Sequence, residues 1–432
     1  MKRRNFLSNL AAGIGTLPFL PEVDQGTGDR LQRLSADVAS ASGSSDLWRR
    51  VREEFQLNPG LTHLNCGTLG ATPTLVIDAV TNYTHEIEGN PASKSFSWGG
   101  AQMEEVRARA ADFIGADLEE VAFTRNTTEA MNAVATGIDL GPGDQVLTTN
   151  HEHGGGMVCW QYLRKHRGVE LVYIEMPRVV QSQQQIVDLV HDHITPRTKV
   201  CSFSHIDTIA GVRLPMAQIA AITRPLGILL VCDGAQVPGM LPVDVTALGV
   251  DTYAFSGHKW MLGPKGSGLL YIRREVQDRV HPAFLYDGYR GYTASGGTRN
   301  VAGVLGQGIT MDFHDAIGRE RIEARCRELS AYLRHQLQEI PTLQPMTPTD
   351  HELSGALQTW ALDKGDSGAI LNRLRHEYQI LFKTAQSTYA YCPEERHLRE
   401  NYNAIRFSTH IFNYEAQIDY AVDVLRKVLA EA

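Results

Sequence analysis

Residues 254–272, AFSGHKWMLGPKGSGLLYI, place a lysine among glycines and small polar residues between two apolar, strand-like runs. Polar groups that interrupt a buried strand pattern need a reason. Lys259 is a primary amine able to form a Schiff base with a cofactor carbonyl, and Ser256 and His258 are of a type and spacing that can reach a phosphate. Lys265 is the rival amine, but GPKG reads as a turn that presents it to solvent. Taken alone, Lys259 could also be an ordinary surface lysine.

Upstream, LLVCDGAQ (residues 229–236) sets Asp233 at the carboxyl end of an apolar strand, where open α/β sheets put their ligands. A carboxylate there suits a protonated ring nitrogen, which lets the ring accept the electrons left when a bond at a substrate α-carbon breaks. The same aspartate could simply cap the next helix. Gln236, one helical turn on, could reach a ring hydroxyl. FTRNTTEAMN (residues 123–132) follows a strand and opens a helix, which puts Thr127, Thr128 and backbone N–H groups where a phosphate is well held. Threonine caps open many helices, so this segment is weak without the others.

Such groups meet only if a sheet aligns the strand ends that carry them. Short apolar runs at 120–124, 145–148, 171–174, 199–203 and 228–232 alternate with amphipathic stretches such as 104–114. That rhythm predicts a mostly parallel sheet with helices on both faces. A short helix over 48–55 leads into the body. After a loop at 288–300, a long helix from about 303 to 339 enters a shorter α+β region that ends in the amphipathic stretch 414–429. The expected division is 1–45 as signal and linker, 46–310 as the large domain and 311–432 as the small one. No internal repeat is evident.

The chain has 432 residues, with 41 Lys plus Arg against 49 Asp plus Glu, so its charge of -8 gives no electrostatic reason to expect nucleic acid. A small-molecule partner is expected. No stretch after the N-terminus is apolar for long enough to span a bilayer. The six cysteines, Cys66, Cys159, Cys201, Cys232, Cys326 and Cys392, lack CxxC spacing, and no metal site is predicted. His151 and His153 stand two apart without a third ligand nearby. At the start, KRRNFL (residues 2–7) and the modestly apolar stretch 10–20 are similar to a twin-arginine export signal, a route that carries folded proteins. The nearest candidate cleavage site is around 36–41. A periplasmic or exported location is expected; a basic disordered tail on a cytoplasmic protein is the alternative.

Together these motifs resemble the class V aminotransferase family, which includes cysteine desulfurases, kynureninases and isopenicillin N epimerase, from about residue 64 to the C-terminus. The resemblance implies a fold type I α/β architecture, with a mostly parallel seven-stranded sheet and a small C-terminal α+β domain, and pyridoxal 5'-phosphate as cofactor. By it, Lys259 is the Schiff-base lysine, Asp233 the pyridinium partner and Gln236 a ring-oxygen contact, while Thr127, Thr128, Ser256 and His258 hold the phosphate. His153, in NHEHG (residues 150–154), falls where the family stacks an aromatic or histidine on the ring. His205 and Thr208, in SHIDTIAG (residues 204–211), line the pocket, with Thr208 where desulfurases often carry Asn. Thr298, in GTRN (residues 297–300), matches a segment that reaches the partner subunit's phosphate, which implies a homodimer with shared sites. Arg406, in AIRFSTH (residues 404–410), matches the small-domain arginine that clamps a substrate carboxylate. Without the family, an arginine between Ile and Phe is more often a half-buried salt-bridge residue. Asn65 and Gly67, in HLNCGT (residues 63–68), fall where the N-terminal segment approaches the substrate.

Which α-carbon bond breaks depends on its angle to the ring, which sequence does not fix. HEHGGG (residues 151–156) and GTRN look more like the epimerase branch. Desulfurases need a nucleophilic cysteine on a loop before the clamp arginine. Lys383-Thr384 matches the start of that loop, and the cysteine position then falls near Ser387 or Thr388; Cys392 is the thiol that a shifted alignment would recruit. The chain is also similar to exported enzymes that tailor siderophores such as pyoverdine, as transaminases or decarboxylases. The leading expectation is an isopenicillin-N-epimerase-like enzyme acting at the α-carbon of an amino acid or peptidyl amino group. A non-catalytic binding module with this fold is the reading from a different class.

Overall fold

The computed structural model describes residues 25–285, 297–386 and 401–431. Helices α1 (Gln25–Ser40) and α2 (Ser44–Arg52) lead to strand β1 (Thr62–His63), α3 (Thr74–Gly89) and α4 (Gly99–Ile114). Then strands and helices alternate: β2 (Val121–Thr124), α5 (Thr127–Gly137), β3 (Gln145–Thr149), α6 (Gly154–Arg167), β4 (Glu170–Ile174), α7 (Gln183–His193), β5 (Thr198–Ser204), α8 (Met216–Thr223), β6 (Leu229–Asp233), α9 (Val245–Leu248), β7 (Thr252–Ser256) and β8 (Gly268–Ile272). The chain ends with α10 (Val301–Ile317), α11 (Arg319–Gln338), β9 (Leu343–Pro345), β10 (Leu357–Leu362), α12 (Ser367–Tyr378), β11 (Ile380–Leu381), β12 (Lys383–Gln386), β13 (Asn401–Ser408) and α13 (Glu415–Ala430).

Seven strands form the main sheet in the order β2-β8-β7-β6-β5-β3-β4. Neighbours from β7 to β4 pair in parallel, and β8 runs antiparallel to both β7 and β2. Every residue of β2, β3, β6, β7 and β8 is buried, as a sheet covered by helices on both faces demands. This is the α/β fold with a mainly parallel sheet that the alternating pattern predicts. A second sheet, β12-β13-β10-β9, is antiparallel. It packs with α11, α12 and α13 around Leu329, Leu333, Trp360, Ile405, Phe407 and Leu425.

Three features differ from the sequence expectation. Residues 25–40, expected as linker, form a helix because Leu31, Leu34 and Val38 recur at helical spacing and bury one stripe against the main core. Arg30 bonds Glu54 and Asp78, which fastens that helix to the body. The long helix expected from 303 to 339 is two helices, because Gly318 takes φ 98 between them, a conformation open to glycine. Finally, β1 pairs in parallel with β11, and Leu64 packs in the hydrophobic cluster behind the antiparallel sheet, so the N-terminal segment ties into the C-terminal half of the chain.

Candidate active site

Asp233 ends β6, Ser256 ends β7, and the turn after β7 carries His258 and Lys259. The loop after β3 brings His153, the loop after β5 brings His205 and Thr208, and β13 brings Arg406 from the four-stranded antiparallel sheet. All lie at the carboxyl ends of parallel strands or on the element that faces them, the place where this type of sheet binds ligands.

Burial pushes the Lys259 ammonium down to about 8; Asp233 draws it back up, while Arg406 and Lys383 push it further down. Part of the population is therefore neutral amine near pH 7, the form that attacks a carbonyl. Lys265 points elsewhere, with its Nζ donating to the Gly70 carbonyl at 2.7 Å and to Thr72 Oγ1 at 3.0 Å. Asp233 is buried, and its Oδ1 accepts from the Ala235 N–H at 2.9 Å. Burial raises its pKa and Lys259 opposes that rise. A Cβ at Gly156 would stand 2.8 Å from Asp233 Oδ2, so the glycine keeps space beside this oxygen.

On the other side of the lysine, Ser256 Oγ accepts from the Thr127 N–H at 3.0 Å and shares a 2.8 Å hydrogen bond with Thr127 Oγ1. Both sit at the N-terminus of α5, where the helix dipole favours an anion. Thr128 is the exposed next residue, and His258 is half-buried with Nδ1 lacking a hydrogen-bond partner. Burial, then Lys259 and Lys265, lower the His258 pKa to about 4.

His153 caps α6, its Nδ1 accepting from the Gly155 N–H at 3.0 Å, so the ring proton belongs on Nε2. Burial and the charges of Lys259, Lys383 and Arg406 lower its pKa to about 3, which leaves a neutral ring suited to stacking. His205 is buried against Tyr253, Nδ1 to hydroxyl at 3.0 Å, and its Nε2 has no partner. Gln236 donates from Nε2 to the Gly67 carbonyl at 3.0 Å and accepts from Trp260 Nε1 at 2.7 Å, which leaves one amide N–H for a ring oxygen.

Arg406 is 2 % exposed and forms no ion pair among the described residues. Its Nη1 donates to the Thr208 carbonyl at 3.0 Å and to the Thr208 hydroxyl, and its Nη2 donates to Thr68 Oγ1 at 3.2 Å. Thr68 in turn donates to Asn65 Oδ1 at 2.8 Å, and the Gly67 N–H donates to Ser408 Oγ at 2.9 Å. Arg406 Nε is buried without a partner, so Nε and the second Nη2 proton keep donor capacity that a carboxylate would satisfy as a bidentate pair. Burial holds the Arg406 guanidinium down to about 10 and Asp207 only partly offsets this from outside ion-pair contact, so a ligand carboxylate that pairs with it directly lowers the cost of its burial.

Thr298 is exposed. The signal-like segment, Ser387, Thr388 and Cys392 lie outside the described residues. His151 and His153 diverge, because His151 turns to the Tyr402 hydroxyl at 3.2 Å. Three contributors take roles that the sequence does not assign them: Lys383 reads there only as the start of a loop, Thr68 only as the end of the segment near the substrate, and Glu152 is not singled out at all. Lys383 is a second cation beside Arg406, Thr68 holds the guanidinium, and Glu152 is a buried acid whose pKa burial raises to about 8 while it accepts from Thr149 and Ser204. A neutral Glu152 leaves Asp233 as the anion nearest the lysine. The donor set fits a cofactor with a carbonyl, a cationic ring nitrogen and a phosphate, together with a substrate carboxylate.

Comparison with known proteins agrees. Isopenicillin N epimerase from Amycolatopsis lactamdurans is 30% identical over 408 residues, 88% of this chain and 98% of that protein. Cysteine desulfurase from Haloferax volcanii is 32% identical over 391 residues, 84% of this chain and 88% of its own length. The apo structure of cysteine desulfurase from Thermococcus onnurineus NA1 superposes with a TM-score of 0.76 at 24% identity, covering 89% of this chain and 98% of that one, which shows the shared fold. The family description "Aminotransferase class-V" matches residues 68–421, and the chain belongs to that family of pyridoxal-phosphate enzymes.

Proposed function

We propose that this chain acts at the α-carbon of an amino acid or peptidyl amino group in an epimerase-like reaction. The observation that carries the reading is the unpaired Nε edge of the buried Arg406, which has no ion-pair contact among the described residues, on the same site as a lysine amine drawn toward neutral pH. Arg406 takes the substrate carboxylate as a bidentate pair, and Thr208 and Thr68 hold the guanidinium still while it does so. Lys259, with a pKa of about 8, can accept a proton from the α-carbon and return one at physiological pH. Asp233 offers a carboxylate to the ring nitrogen, Thr127, Ser256 and His258 suit the phosphate, and neutral His153 suits the ring face. When bound, pyridoxal phosphate supplies the electron sink for the bond that breaks at that carbon.

A second reading is cysteine desulfurase, supported by the Haloferax volcanii relative and by Cys392, fourteen residues before Arg406. The five described cysteines are all buried, which is unsuited to a mobile nucleophile. The twin-arginine head supports export, and exposed Thr298 is compatible with a homodimer whose partner completes the site.

The test is to purify the protein with its cofactor, record the visible spectrum, and add a panel of L- and D-amino acids with and without a thiol. Loss of chirality without sulfide or keto acid is expected. Sulfide release from cysteine that disappears in Cys392→Ser would replace this reading with the second one. A protein with no visible band, even after added pyridoxal phosphate, would be a binding module instead.

A further inference from the structure

Lys383 on β12 lies directly opposite Arg406 on β13. Directly opposed residues project from the same face of a sheet with Cβ atoms about 4.5–5.5 Å apart. That face is turned toward the large domain: Ala385 and Ala404 pack in the large-domain core, whereas Phe382, Ile405 and Phe407 pack in the small-domain core. Lys383 therefore enters the site beside Arg406, and its charge is felt at both Lys259 and His153.

Two like charges at directly opposed positions repel, and partial burial removes the water that would screen them. Neither cation forms an ion pair among the described residues, and the acids closest to them there, Asp207 and Asp233, have other partners, with Asp207 acting on Arg406 only at a distance. Asp207 accepts from the N–H groups of Ile209, Ala210 and Val212, and Asp233 sits with Lys259 at the end of β6. The unpaired edge of Arg406 has donors for one carboxylate held by two hydrogen bonds. A lysine next to it is a surplus point charge on a flexible stem, able to meet an anion at a distance the guanidinium does not cover.

We propose that Lys383 is a second anion anchor, selecting amino-acid substrates that carry a further carboxylate on the side chain besides the α-carboxylate bound by Arg406. This rests on the α-carbon reading above. It names the substrate class as acidic amino acids, or peptides with an acidic residue at the reacting end.

Spectral titration of the cofactor-loaded protein tests it, using 2-aminobutyrate and norvaline against aspartate, glutamate and 2-aminoadipate, each as L and D forms. In the wild type the best dicarboxylate should bind about tenfold or more tighter than its neutral counterpart. In Lys383→Gln that ratio should fall toward one, and Lys383→Arg should restore much of it. Lys383→Gln removes a repulsion, so folding is not expected to suffer, and circular dichroism checks that. A wild-type ratio near one overturns the proposal. So does a ratio that survives in Lys383→Gln while both classes weaken together, because Lys383 would then share the α-carboxylate. If the visible band responds to no amino acid at all, the α-carbon reading fails; a band that responds without discriminating sinks only the second anchor.

Discussion

Trp260 Nε1 donates to Gln236 Oε1 at 2.7 Å, which fastens the neighbour of Lys259 to the segment that follows Asp233. An indole N–H can only donate, so the oxygen of the amide must face it and the nitrogen must face the Gly67 carbonyl, 3.0 Å away. One side chain thus links the lysine turn, the strand end and the N-terminal segment. A Cβ at Gly67 would come within 2.9 Å of the same oxygen, so the segment approaches this closely only as glycine.

Replacing Gln236 separates this bracing role from any contact with the cofactor. Gln236→Leu leaves the Trp260 N–H and the Gly67 carbonyl unpaired in a buried site, at about 1–3 kcal/mol for each orphaned group. Gln236→Glu keeps an acceptor for Trp260 but sets a carboxylate oxygen against the Gly67 carbonyl, so it should also destabilise. Urea denaturation of each variant without added cofactor checks this. If both variants match the wild type, the bracing role is wrong.

Lys259 and Lys265 are six residues apart in one turn-rich segment, and the structure separates their duties. Lys259→Ala should lose the visible absorbance of the bound cofactor and reduce turnover to background. Lys265→Ala removes only hydrogen bonds to Gly70 and Thr72, and should keep the band. Absorbance spectra of the two variants decide the assignment, and loss of the band in Lys265→Ala alone would reverse it.

Much of this arrangement was legible in the chain. Asp233 and Ser256 end apolar runs, and strand ends in a parallel sheet converge on one edge, so spacing alone places them together. Lys383 was visible only as the start of a loop. Its partner lies across a strand pairing that closes over residues 387–400, and pairing register is a tertiary property that local pattern does not carry. Glu152 stands between two histidines in a polar run, where its burial depends on Thr149 and Ser204 arriving from two different strands. The helix at 25–40 was missed because a Ser-, Ala- and Gly-rich composition outweighed three leucine and valine positions that only the main core reveals as a stripe.

Buried imidazoles make the fold sensitive to acid. Burial lowers His153, His205 and His410 to about 3, and His258 and His314 to about 4, from an ordinary 6.5. In the unfolded chain these rings take up protons below pH 6.5, while in the fold they stay neutral down to 3 or 4. Their penalty is therefore absent above pH 6.5 and grows as pH falls through that value, to about 2 kcal/mol at pH 5 for each fully enclosed ring and less for half-buried His258, which solvent screens. Glu152, raised to about 8, and Asp312, raised to about 7, work in the opposite direction. Their folded forms hold protons that the unfolded chain releases, so these two recover stability as pH falls from 7 toward 5, by a few kcal/mol each on the same scale. Five histidines against two carboxyls leave a net loss. Urea midpoints at constant ionic strength should be lower at pH 5 than at pH 7, and a midpoint that holds steady or rises would mean that the rings are protonated within the folded protein.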